Sequence, residues 1–188
     1  MRAPLVLLQA LIVFGFAPAV SAEVLISEIM YNPASSERAP VTVEWVELYN
    51  TGDAAVELEG WHLKDEDGRT APIPEKVKIA SKEALVLVPS GMSPKAFHKA
   101  WGDGFEVIPL KRWGRGGIVG LANSPNADNE RLELVDAESE RVDAVNYEDS
   151  GDWPSDRPDG PSIYLLPKHL SARANDKGKH WGRSQAKK

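Results

Sequence analysis

A chain of 188 residues with 22 basic and 28 acidic side chains, net charge −6, offers little over most of its surface to nucleic acid, whose phosphates need neutralising. It contains no cysteine, which excludes disulfides, thiolate zinc sites, thiol catalysis and a lipid-modified amino-terminal cysteine. Oxygen ligands and four histidines are left for any metal.

In chain order, Arg2 is followed by an apolar run from Leu5 to Phe16 and by Val20-Ser21-Ala22, small residues of the kind a signal peptidase reads. Residues 1–22 are therefore expected to be a signal peptide cut after Ala22, and the run is too short to span a bilayer as a helix of about 20 residues. The remainder is long enough for one domain with its own core. Apolar and β-branched residues then arrive in short runs separated by Gly, Pro, Asn and Asp, the pattern of an all-β sandwich or barrel. Strands are predicted over Val24 to Ile29, Val43 to Tyr49, Ala55 to Leu58 continuing through Trp61 to Lys64, and Ala84 to Val88. Further strands are predicted over Val107 to Leu110, Ile118 to Leu121, Leu132 to Val135, Val142 to Tyr147 and Ile163 to Leu166, about nine in all.

Asn50-Thr51-Gly52-Asp53 and Asp65-Glu66-Asp67-Gly68 read as hairpin turns. One short connecting helix is predicted after Ser93, which caps it, with Pro94 at its first position, Lys95 to Trp101 free of breakers and Gly102 ending it. Alternation in Glu44-Trp45-Val46-Glu47-Leu48-Tyr49 turns Val46 and Leu48 to the core. The opposite face then sets Glu47 between Trp45 and Tyr49, either as a binding surface or as the covered outer side of an inner strand.

Charge divides at Lys168. From Glu23 to Pro167 there are 14 basic and 27 acidic residues, whereas Lys168 to Lys188 has seven Lys or Arg against Asp176. The domain is expected over 23–167, followed by a basic segment, 168–188, partly packed and partly disordered, through which nucleic acid or another polyanion would have to bind.

The ordered fragments Leu25-Ile26-Ser27-Glu28-Ile29-Met30-Tyr31-Asn32-Pro33, Glu44-Trp45-Val46-Glu47-Leu48-Tyr49-Asn50, Leu58-Glu59-Gly60-Trp61-His62-Leu63 and Ala84-Leu85-Val86-Leu87-Val88 carry a resemblance. Downstream it continues through Trp113-Gly114, Leu121-Ala122-Asn123-Ser124, Glu130-Arg131-Leu132-Glu133-Leu134, Val142 to Tyr147, Trp153-Pro154 and Gly160-Pro161-Ser162-Ile163. The series resembles the lamin tail domain. That resemblance implies an immunoglobulin-like β-sandwich and, in exported bacterial proteins, a secreted, periplasmic or surface-associated module often joined to hydrolases or nucleases. This chain is expected to depart from that layout and to act without a catalytic neighbour. Trp61 after Gly60 fits a large ring packed across two sheets, and Asn50 fits a strand end that turns sharply.

Motifs for chemistry are sparse. His62, His98, His169 and His180 fall in different predicted elements with no metal-ligand spacing, and read as lone surface histidines. Asp149-Ser150-Gly151-Asp152 superficially resembles a serine-protease nucleophile loop but lacks the glycine-rich remainder and a placed base. There is no Gly-x-Ser-x-Gly, phosphate loop or dinucleotide fingerprint.

Asp149, Asp152, Asp156 and Asp159 cluster as hard oxygen ligands and make calcium the one cofactor to consider, but their spacing matches no EF-hand and such a turn-rich loop is usually only solvated turn formers. The second contrast is Lys111-Arg112-Trp113-Gly114-Arg115-Gly116-Gly117. There Lys111, Arg112 and Arg115 beside an indole suit an acidic glycan, a peptide carboxylate or a phosphate, unless Trp113 is a buried position with exposed flanks. Trp101 and Trp113 are the stacking platforms a carbohydrate-binding module would use. The expected function is an exported, non-catalytic interaction or adhesion module for a protein or cell-envelope partner. A carbohydrate-binding module, or an accessory domain of an extracellular hydrolase or nuclease complex, is the alternative, and oligomeric state stays open.

Overall fold

The computed structural model describes residues 24–34, 43–114, 116–121, 130–155 and 157–184. The expected signal peptide, Arg115 and Asp156 lie outside them. The described chain is built from strands β1 (Val24–Met30), β2 (Trp45–Asn50), β3 (Val56–Glu57), β4 (His62–Lys64), β5 (Thr70–Pro72), β6 (Lys78–Ile79) and β7 (Ala84–Pro89). Helix α1 (Pro94–Trp101) follows, then β8 (Glu106–Leu110), β9 (Glu130–Val135), β10 (Arg141–Tyr147), β11 (Ile163–Leu165) and β12 (Trp181–Arg183).

The larger sheet has six strands in the order β12-β11-β1-β2-β7-β8, the smaller has four in the order β10-β9-β4-β5, and β3 pairs with β6. The two larger sheets close on one core: Leu25, Ile29, Val46, Leu48, Leu85 and Leu87 from one meet Leu63, Leu132, Leu134 and Val145 from the other. Val46 and Leu48 are inside, as alternation predicts.

Among the described residues twelve strands stand where about nine are expected. The additions, β5, β6 and β12, are two or three residues long, too short to carry a periodic signal. The expected strand over Ile118 to Leu121 is reduced to a single bridge between Trp113 and Ile118. Asp65 to Gly68 does turn a hairpin, between β4 and β5. Asn50 to Asp53 does not: β2 pairs with β1 and β7, and the chain leaves the sheet there for β3. The buried Asn50 amide holds that departure, donating to the carbonyls of Ala54, Ile79 and Ala80 and accepting from Gly52 N–H.

Helix α1 is more than a connector. Strands β7 and β8 run parallel, and a parallel pair needs a crossover, which α1 supplies. Its buried Phe97 and Ala100 cover Met30, Trp45, Val86, Val88 and Val107 on the outer face of the large sheet. Pro94 opens the helix and Ser93 occupies the cap position, but its side chain makes no capping bond; Phe97 N–H donates to the Ser93 carbonyl instead. At Gly60 the backbone has φ +81°, and an added Cβ would lie 2.8 Å from the Ala137 methyl, so glycine is required there beside the half-buried Trp61.

The basic segment after Pro167 adds to the same frame. Two single-turn 3-10 helices, Pro167–His169 and Gly178–His180, flank a turn that leads into β12, which pairs with β11. Trp181 is buried against Trp153 with ring centroids 5.7 Å apart, and its indole N–H donates to the Asn175 carbonyl at 2.5 Å. Gly178 abuts the loop before it so closely that a Cβ would sit 2.6 Å from the Trp153 nitrogen.

Candidate functional site

The glycine-rich basic loop is held from within. Trp113 is 1% exposed and sits in the main core, which corrects the reading of it as a contact residue or stacking platform. The loop closes over the ring: Gly114 N–H donates to the Ile118 carbonyl at 2.7 Å, and Arg112 Nε to the Gly116 carbonyl at 2.8 Å. At Gly117 a Cβ would lie 2.1 Å from the Arg112 carbonyl and 2.5 Å from that of Thr70. Burial of the indole is thus fixed by backbone crossings no local pattern announces. Lys111 and Arg112 remain exposed flanks.

Trp101 is half-buried in the second cluster, its ring 5.3 Å from Trp45 at 71° and 6.2 Å from Phe97 at 25°. The two tryptophans therefore serve separate clusters and form no shared exposed platform, which corrects the pairing expected for a carbohydrate surface.

Of the four aspartates considered for calcium, Asp149 is half-buried, Asp152 and Asp159 are exposed, and Asp159 accepts from the Asn32 amide at 3.3 Å. Among the described residues no three His, Asp or Glu side chains converge as metal ligands. The histidines are less scattered than their spacing suggests. His62 stands in β4 and His98 in α1, where Nδ1 donates to the Gly102 carbonyl at 3.0 Å. His169 and His180, however, stack with centroids 3.7 Å apart and planes 18° apart. The β11–β12 pairing brings them together, which corrects their reading as lone residues.

Two polar clusters escaped sequence reasoning. On the outer face of the large sheet Glu28 and Glu47 face each other across β1 and β2. Ser162 Oγ donates to Glu28, and Ser27 Oγ donates to Glu47 Oε1 at 2.7 Å. Burial pushes the Glu28 carboxyl up to about 7, opposed by the Ser162 hydroxyl and reinforced by the neighbouring Glu47. Burial also raises Glu47, against the Ser27 hydrogen bond. The sequence signal is the alternation that sets Glu47 on the outer face of β2; its partner Glu28 follows only from the register of β1 against β2.

On the outer face of the small sheet Glu133 meets Lys64 at 3.0 Å, Arg131 at 2.6 Å and Arg141 at 3.7 Å. Burial opposes ionisation of Glu133, yet the Lys64 hydrogen bond and the three cations hold its carboxyl below the ordinary range. Beside it opens a cleft of about 620 Å³ lined by Arg131, Arg141, Asp143, Asn146, Ala172 and Asp176. At its base Asp143 Oδ2 accepts from Ile26 N–H at 2.7 Å and from the Asn175 amide at 2.6 Å.

The model of one protein family, the lamin tail domain, matches residues 17–149. The chain belongs to that family. The match covers every strand from β1 to β10, so the lamin tail domain accounts for the sandwich, whereas β11 and β12 lie beyond it. No curated protein matches this chain. Among the described residues no helix is long and apolar enough to cross a membrane. In this lamin tail domain the ring nitrogens of His98 and His180 that make hydrogen bonds do so with backbone carbonyls.

Proposed function

We propose that this lamin tail domain protein is an exported, non-catalytic interaction or adhesion module that docks on a protein or cell-envelope partner. The observation that carries this reading is how the polar side chains of the sandwich are used. Asp143, Asn50 and Asn175 hold backbone groups and one another, and Glu133 holds three cations. The bonded ring nitrogens of His98 and His180 face backbone carbonyls, and the Ser27 and Ser162 hydroxyls donate to Glu47 and Glu28 in a separate cluster, away from the stacked His169 and His180 rings. What the fold offers a partner is surface: sheet edges at β8, β12, β5 and β10, and polar outer faces. Family membership supports the same role, and the apolar run before Ala22 supports export.

Retrieval of a defined partner by the tagged protein from the exported proteins and envelope of its own organism is the test. Reproducible retention of one protein or polymer is expected. Turnover of a substrate by the purified protein would refute the reading. A hydrolase as the retained partner would make it an accessory domain, and binding to neutral sugars on a glycan array would favour a carbohydrate module.

A further inference from the structure

Residues 168–184 hold Lys168, Arg173, Lys177, Lys179 and Arg183 against the single carboxylate of Asp176, in a molecule acidic elsewhere. This cationic strip is not a loose end. Trp181 anchors it to Asn175 and Trp153, and Asn175 anchors it to Asp143. Lys168, Arg173, Lys177 and Lys179 are all exposed on that frame. Cations fixed by packing lose less freedom when a ligand arrives than the same charges on a coil.

At the centre of the strip the His169 and His180 rings stack 3.7 Å apart, each next in sequence to a lysine, Lys168 and Lys179. His180 Nδ1 donates to the Ala174 carbonyl at 2.7 Å, which fixes that ring. The His169 imidazole is held below its ordinary range, first by loss of solvent and then by the positive neighbours His180, Lys168 and Lys179. The carboxylates on the segments packed against these turns are Asp152, whose backbone meets Gly178, and Asp176, whose Oδ1 accepts from Asn146 N–H at 2.8 Å. The positive neighbours of His169 oppose its protonation until an anion sits against the stack. Such an anion and the proton therefore strengthen each other's binding.

We infer that this two-turn platform is the docking surface for a carboxylate-bearing polysaccharide, whose acidic group seats against the His169–His180 stack between Lys168 and Lys179 and draws a proton onto the pair. The inference rests on the interaction reading above and names its site and its ligand chemistry. Charge favours a slender single-chain polyanion over DNA. A duplex carries one phosphate per about 1.7 Å over a broad cylinder, and the stretch from Glu23 to Pro167, with 27 acidic residues against 14 basic, would repel it.

The test is binding of the purified protein to immobilised polygalacturonate at pH 5.5 and 8.0 and constant ionic strength. Affinity about fivefold higher at the lower pH is expected, with net proton uptake in calorimetry performed in two buffers of different ionisation enthalpy. His169→Asn should flatten the pH response and remove the uptake with the melting temperature unchanged. Lys168→Gln with Lys179→Gln should weaken binding about tenfold at both pH values. Equal affinity at both pH values, an undiminished response in His169→Asn, or no loss in the lysine double variant would overturn the inference. Tighter binding of a DNA duplex at equal salt would overturn it in favour of nucleic acid. If the variant combining His169→Asn, Lys168→Gln and Lys179→Gln still retrieves its partner from the envelope, this site is wrong while the interaction reading stands.

Discussion

Replacing Asp143 with alanine should loosen the joint between the two sheets and the basic segment at once. The carboxylate is 3% exposed, and one oxygen accepts from Ile26 N–H at 2.7 Å and from the Asn175 amide at 2.6 Å. Ile26 lies at the bulge of β1 in the large sheet, Asp143 in the small sheet and Asn175 in the turn before β12. Alanine strands two buried donors, each costing about 1–3 kcal/mol. The neighbouring cleft admits water and softens that penalty, so a loss of about 2–4 kcal/mol is expected. For a chain of this size that lowers Tm by roughly 5–15 °C. Urea unfolding followed by tryptophan fluorescence, with the midpoint read at constant slope, measures it. Asp143→Asn, which keeps an acceptor, should fall between. Asn175→Ala combined with Asp143→Ala should show a coupling of about 1–2 kcal/mol. A loss under about 1 kcal/mol for Asp143→Ala, or strictly additive single variants, would refute the reasoning.

Trp113→Ala should cost about 3–5 kcal/mol as a core cavity, while Lys111→Ala and Arg112→Ala stay within about 0.5 kcal/mol; thermal melts compare them, and a neutral Trp113→Ala would contradict its burial. Glu28 gives a pH test. Its folded carboxyl is raised from 4.5 to about 7, so folding takes up a proton in that window. Its stabilising contribution is complete below 4.5 and is lost as pH rises through about 7. Relative to the parent, Glu28→Gln should therefore gain stability from pH 5 to pH 8, at no more than about 1.4 kcal/mol per pH unit; parallel Tm-against-pH curves would show that the raised carboxyl is mistaken. Millimolar calcium should leave Tm unmoved and give no calorimetric heat, since Asp149, Asp152 and Asp159 do not converge; a rise in Tm would establish a site in that loop.

What the sequence discloses is what local pattern controls. Val46 and Leu48 alternate with polar neighbours and are buried, and the longer strands β1, β2, β7, β9 and β10 stand close to their expected bounds. The helix after Ser93 is legible from proline and glycine punctuation, but its role as a crossover depends on β7 pairing with β8, a non-local fact. Asn50 was expected to turn a hairpin because its residue type favours turns; its amide instead reaches Ile79 and Ala80, 29 and 30 residues away. Trp113 beside Arg112 resembles an interface in composition, and only the approach of the Thr70 and Arg112 backbones at Gly117 puts it inside. The His169–His180 stack follows neither a helical nor a metal-ligand interval, because the register of Leu165 against Trp181 makes it.

The order of strands in the large sheet bears on how the protein can be shortened. Residues 163–165 pair with Glu28 and Ile29 of β1, and residues 181–183 pair in turn with 163–165. Deleting everything after residue 149 would uncover the Glu28–Ile29 stretch of β1 and leave its backbone groups on that side without their strand partner. Such a fragment would offer that edge for strand pairing with another copy, an edge that the short closing strands cover in the whole chain.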